Sequence, residues 1–141
     1  MPKTKARQSA SIVVPFYDKV TKTAKKNVSF RERVSSGDFS ELVAMSLIRG
    51  DELGEEIHES ADEILFVVQG KAAVTVDGRT EHAKRHDAIF VKAGERHNLR
   101  NIGRRDLKLL CVCAPPLTGS TGMHEVGQRE VRERIQHAWE Q

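Results

Sequence analysis

Between residues 39 and 114 the chain is cut into short apolar runs by Gly- and Asp-bearing turn signals. Many short strands at this spacing point to an antiparallel sandwich or barrel. Ser35-Ser36-Gly37-Asp38 reads as a turn. Residues 39–48 follow as a strand that is apolar at Phe39, Val43, Met45 and Leu47 and also at Leu42, Ala44 and Ile48, so both of its faces are expected to be buried. Residues 64–69 are likewise apolar on both faces. Residues 72–76 and 79–83 flank Asp77-Gly78, a strong two-residue hairpin signal. Residues 88–91, 98–102 and 107–114 complete the series, and Pro115-Pro116 stops the last strand. The expected organisation is a basic, disordered leader over 1–11, a barrel over 12–116 and a tail over 117–141. Ile12-Val13-Val14-Pro15-Phe16 is a short apolar run between the leader and the first turn. In the tail, residues 128–139 have helical periodicity, with Val131, Ile135, Ala138 and Trp139 on one face.

Two histidines and two carboxylates stand where such a barrel would let them meet. Glu56 and His58 are two apart, so on one strand they share a face. Glu63 opens the next apolar strand, and a carboxylate facing a barrel lumen needs a partner. His97 follows the turn signal Ala93-Gly94 and opens another strand. Carboxylate oxygen and imidazole nitrogen suit a divalent metal such as Zn, Fe, Mn or Ni. The candidate metal ligands are therefore Glu56, His58, Glu63 and His97, with Glu63 also the candidate proton acceptor. His82 and His86 flank Ala83-Lys84-Arg85 and read as surface residues, and His124 as a loop histidine. Lys92 and Arg96 accompany the turn before His97, near the barrel rim. They are either ordinary rim charges or attractors for an anionic substrate.

These residues lie in two spaced motifs. The first is Gly50, five residues, Glu56-x-His58, four residues, Glu63, six residues, Gly70. The second is His86, five residues, Lys92-x-Gly94, two residues, His97, three residues, Asn101. In this spacing the chain resembles the cupins over roughly residues 39–116. The resemblance implies an all-β fold, a double-stranded β-helix barrel of jelly-roll type. It also implies a metal at the four residues named above. Three residue types depart from the family pattern: Glu56 for the first His, His86 for Gly and Lys92 for Pro. The usual three-His-one-Glu set becomes two His and two Glu, a harder and more negative site. Ala114-Pro115-Pro116 and Thr121-Gly122-Met123-His124 also resemble the small single-domain, mannose-6-phosphate-isomerase-like cupins.

At 141 residues one domain with a real core is expected. No apolar run approaches a membrane span, and the N-terminus lacks a signal-peptide core, which argues for the cytosol. Cys111 and Cys113, two apart on a strand, are expected to be reduced, half-buried small hydrophobes. Residues 1–33 hold nine Lys/Arg and two acids, a charge of +7 that leaves −4 on the remainder. The arm reads as solvated, and without aromatic-interleaved basic patches nucleic acid is an improbable partner. A homodimer is expected, because strands apolar on both faces need covering. The expected function is metal-dependent chemistry on a small molecule, of isomerase, epimerase or lyase type or an oxygenase. A sugar- or small-acid-binding domain without turnover is the alternative, and an assembly protein using the basic leader a third.

Overall fold

The computed structural model describes residues 17–117. The leader, the 12–16 run, the Thr121–His124 motif and the helix expected over 128–139 lie outside the described residues. Those described form a short helix, α1 (Val20–Lys26), and nine strands. The strands are β1 (Arg31–Ser36), β2 (Glu41–Leu47), β3 (Glu56–Ile57), β4 (Asp62–Gln69), β5 (Lys71–Val76), β6 (Arg79–Lys84), β7 (Ala88–Val91), β8 (Arg96–Asn101) and β9 (Leu107–Ala114). They build a five-stranded sheet in the order β1-β2-β9-β4-β7 and a four-stranded sheet in the order β3-β8-β5-β6. Every pairing is antiparallel. This is the double-stranded β-helix that the motifs implied.

Alternation decides what each strand buries. Val43, Met45 and Leu47 of β2, Leu65 and Val67 of β4, and Leu107, Leu109 and Cys111 of β9 point inward. They meet Ala72, Val74 and Leu99 of the facing sheet. The opposite face of the larger sheet carries Ala44, Val68 and Leu110, which pack with Val34 against Val20 and Ala24 of α1. Lys108, on that same outer face, is buried and donates to Ser46 Oγ at 2.9 Å and to the Asn27 carbonyl just past α1. Both faces of β2 are thus largely buried, as expected, the outer one partly by the chain's own helix, whereas on β4 the outer Ile64 is 42% exposed despite the apolar run.

The expected 39–48 strand needs correction at its start. Phe39 is 83% exposed, and β2 begins at Glu41. The cause is the β1–β2 hairpin, closed by Gly37 N–H donating to the Ser40 carbonyl at 2.8 Å, which leaves Phe39 on its loop. Ser35 and Ser36 belong to β1 rather than to the turn. Arg31 and Arg33, counted with the leader by charge, lie in β1 as well. Cys111 and Cys113 are free, as expected, but fully buried rather than half-buried.

The turns follow their residues. Asp77 and Gly78 both have positive φ, at 47° and 84°, which is the two-residue hairpin geometry their sequence called for. At Gly70 a side chain's Cβ would come within 3.1 Å of the Asp106 carbonyl and of Leu107 Cα, so the β4–β5 turn tolerates only glycine. His86 also adopts a positive φ, 80°, at the place where the second motif ordinarily has glycine. Its N–H donates to the Val67 carbonyl, and Asp87 Oδ2 accepts from Lys84 N–H, both at 2.9 Å. Left-handed backbone costs an L-residue about 1–2 kcal/mol. His86→Gly is therefore expected to stabilise the protein by roughly 1 kcal/mol in chemical denaturation.

Asn101, which closes the second motif, is structural. It is buried, and its Nδ2 donates to the carbonyls of Leu47 and Arg105, each at 2.9 Å. Its Oδ1 accepts from Gly103 N–H at 2.9 Å. One side chain thus ties the end of β2 to the β8–β9 loop. Asn101→Ala strands those buried groups and should cost about 2–4 kcal/mol, measured as a loss of unfolding free energy.

Candidate metal centre

Sheet register brings Glu56, His58 and His97 into one group that could hold a metal ion, with the Glu63 carboxylate set against the two histidines. β3 pairs with β8 so that Glu56 stands directly opposite His97. His58 follows β3 immediately, and its carbonyl accepts from Gly94 N–H at 2.9 Å, which joins the first motif to the turn of the second. Ala93 N–H of that turn donates to Asp62 Oδ1 at 2.9 Å. Glu63, next in β4, points inward with Leu65 and Val67 and lies across from Cys113 and Val91.

One ligand atom each from Glu56, His58 and His97 falls within 4.8 Å of the other two. Glu56 Oε1 is 3.1 Å from His58 Nε2 and 3.7 Å from His97 Nε2. Glu63 Oε1 is 3.7 Å from His58 Nε2 and 3.2 Å from His97 Nε2. The two rings are tilted, with centroids 5.2 Å apart. His58, Glu63 and His97 are buried and Glu56 is partly buried.

His97 Nδ1 lies 3.2 Å from the Glu95 carbonyl. A carbonyl only accepts, so Nδ1 carries the proton, and in the neutral ring Nε2 turns a lone pair toward Glu63. Nε2 and Glu63 Oε1 are both buried and face one another at 3.2 Å, close enough to pair directly once the ring is protonated. Two acceptors at this distance need a positive charge between them, a proton or a metal ion. Burial alone would lower the His97 pKa, but contact with Glu63, the Glu95 carbonyl and Glu56 reverses this and raises it above the ordinary value. Burial likewise opposes ionisation of Glu63, yet His97, His58 and Arg31 outweigh it and hold the carboxyl below its usual range. The donor set therefore fits a divalent ion, with imidazole and carboxylate in a mixed shell.

Arg31 was not singled out by the sequence, since nothing local marks it. It pairs with Met45 on the inner side of β1 and reaches Glu41 Oε2 at 3.2 Å, with both side chains almost wholly buried. Its Nε has no hydrogen-bond partner. Beside it the Cys113 Sγ lies 3.8 Å from Glu63 Oε2. Burial and the Glu63 charge push that thiol far above its ordinary pKa, so it stays protonated. Lys92 and Arg96 are exposed. Arg96 is opposite Ile57 in the β3–β8 pair and meets Glu55 at the surface, 3.4 Å away. His82 and His86 are exposed, as expected, and His124 lies outside the described residues.

These shifts set opposite pH limits on the metal-free protein. The raised His97 pKa contributes stability below the unfolded value near 6.5, lost as pH rises through the higher folded value. The depressed Glu63 pKa contributes stability above its unfolded value near 4.5, lost as pH falls through the lower folded value. With chelator present, melting temperature should be highest between those two values and fall on either side. Added metal competes with the His97 proton, so its stabilising effect should grow as pH rises. Melting curves from pH 4 to 8.5, with and without chelator, check both slopes.

Comparisons with known proteins agree with this architecture. A family model described as a cupin domain matches residues 44–113. The crystal structure of BH2720 from Bacillus halodurans superposes with a TM-score of 0.71 at 35% identity, over 73% of this chain and 83% of that one. The uncharacterized protein YrkC of Bacillus subtilis is 32% identical over 117 residues, 79% of this chain and 63% of YrkC. An oxalate-binding protein of Thermotoga maritima is 32% identical over 68 residues, 48% of this chain and 56% of that protein. This chain thus spans less than two thirds of the length of both curated relatives.

Proposed function

We propose that this chain, which belongs to the cupin superfamily, holds one divalent metal ion between Glu56, His58, Glu63 and His97 and acts there on a small anionic molecule. The observation that carries this reading is the convergence of buried His97 Nε2 and His58 Nε2 on one carboxylate oxygen, Glu63 Oε1, at 3.2 and 3.7 Å. When bound, such an ion supplies Lewis acidity toward a carbonyl or hydroxyl, the basis of isomerase, epimerase or lyase chemistry, or dioxygen chemistry if it is iron.

The residues divide the remaining work. His58 and His97 present neutral nitrogen donors, with His97 held in that tautomer by the Glu95 carbonyl. Glu56 and Glu63 add negative charge. Glu63 Oε1, facing both imidazoles, is the proton acceptor in this scheme. Arg31 favours an anion. A buried guanidinium with a partnerless Nε suits a carboxylate-bearing substrate.

Binding without turnover is the second reading, supported by the relative named for oxalate binding. The cytosol is the proposed location, and among the described residues no helix is long and apolar enough to cross a membrane. The proposed assembly is a homodimer. Ile64 (42% exposed) and Phe90 (60% exposed) are paired across β4 and β7 on the outer face.

Metal content and melting temperature of wild type, His58→Ala, His97→Ala and Glu63→Gln test the site. Each histidine variant should lose most of its metal while the barrel still folds, since the apolar sheet faces hold a domain of this size together. Glu63→Gln should weaken metal binding and keep the fold. Full metal in both histidine variants, or none in the wild type, would discard the metal centre. Dioxygen uptake by iron-loaded protein separates oxygenase from isomerase or lyase chemistry. Saturable oxalate binding with no product formed selects the second reading.

A further inference from the structure

We propose a second ligand site, for a small molecule bearing a di- or triphosphate, at the end of the barrel opposite the metal centre. A cavity of about 860 Å³ opens there. Into it face Arg49, Lys71, Lys84, Arg85, Arg104 and Arg105, and no acidic residue lines it. The metal centre is distant. Glu63 is the second residue of β4, and Gly70, at the cavity, lies just beyond the strand's other end. Seven residues of extended chain span about 23 Å.

Three features set this cavity apart from an ordinary charged surface. The first is the lack of counter-charge. Arg31, Arg96 and Lys108 each face a carboxylate within 4.0 Å, whereas none of the six cavity cations forms an ion pair with a described residue. Arg105 donates instead to neutral Gln69 Oε1, at 2.7 Å. Like charges in one concavity repel each other and concentrate anions from solution.

The second feature is that the frame is rigid. The Ile102–Arg105 loop is held by the buried Asn101 side chain, which accepts from Gly103 N–H and donates to the Arg105 carbonyl. Ile102 N–H donates to the Lys71 carbonyl at 3.0 Å. Cations on a fixed loop lose little freedom on binding.

The third feature is His86. It lines the same cavity and occupies the left-handed backbone conformation that glycine would take without strain. Strain retained at a cavity wall is a mark of use. An imidazole there adds a donor that glycine lacks.

The chemistry selects the ligand class. Four of the six cations are arginines, whose forked donors match phosphate oxygens. A polyphosphate chain presents tetrahedral oxygens on all sides, so cations surrounding a cavity can engage it together. A planar carboxylate offers only two oxygens per group. The volume falls within the range of small-molecule sites rather than that of an open groove for a duplex.

Calorimetric titration of the full chain with inorganic tripolyphosphate, ATP and citrate, at low ionic strength, tests the proposal. Saturable binding of tripolyphosphate is expected, at least roughly tenfold tighter than that of citrate. Arg85→Glu with Arg104→Glu should weaken it tenfold or more, and so should Arg49→Glu with Lys84→Glu. Lys25→Glu with Lys26→Glu changes net charge equally, on α1 away from the cavity, and should leave affinity unchanged. His97→Ala should also leave it unchanged, which separates this site from phosphate held at the metal centre. His86→Gly should melt higher yet bind more weakly. Tighter binding of ATP than of tripolyphosphate identifies a nucleotide, and equal affinities identify the phosphate chain alone; either supports the site. The proposal is overturned if no saturable binding occurs below millimolar concentration, if citrate binds equally well, if the α1 variant loses as much affinity as the cavity variants, or if His97→Ala abolishes binding.

Discussion

An imidazole lone pair and a carboxylate oxygen repel one another, and in this barrel they stand 3.2 Å apart where water does not reach. In bulk solvent the repulsion would be screened. In a buried site it is several-fold larger, and only a positive charge between the two atoms removes it. Much of the surrounding geometry holds that pair in place. The β3–β8 register sets Glu56 across from His97, the Glu95 carbonyl fixes the ring's tautomer, and the contact between Gly94 and His58 locks the two motifs together. The apolar core around Leu65, Val67, Leu107 and Leu109 holds the sheets together around this polar end.

What the sequence disclosed, and what it hid, follows from the range of the interactions involved. Asp77-Gly78 announced its hairpin because positive φ at two adjacent positions is a local demand. The inward placement of Glu63 and His97 was legible because spacing fixes register, and register fixes which side chains turn inward. β1 was not legible. Its opening residues, Arg31-Glu32-Arg33, carry no apolar alternation, and Arg31 is tolerated inside only through Glu41 on the next strand. Helix α1 offers just Val20 and Ala24 to the sheet, too few for a periodic signal. Phe39 misled for the opposite reason, being an apolar residue on a hairpin loop. The orientation of His97 depends on a backbone carbonyl, which no residue type encodes.

Strand β8 shows how the polar chemistry is apportioned along the barrel. His97, near its start, turns toward the ligand cluster, and Asn101, at its end, satisfies backbone groups of two other segments. Between them Leu99 belongs to the apolar core. All three face inward because they are separated by steps of two. One six-residue strand therefore carries a candidate metal donor, a packing residue and a structural lock on a single face.

The pleat also restricts how such a site can diversify. On β4 the inward positions are Glu63, Leu65 and Val67, while Asp62 and Ile64 look outward. The nearest alternative inward position on that strand is about 6.6 Å away, farther than any metal–ligand bond reaches without moving the ion itself. A donor cannot drift to a neighbouring residue. It can only be exchanged in place, as Glu56 stands here where histidine is usual. Inward locations in this scaffold are discrete addresses, set by the two-residue repeat of the strand.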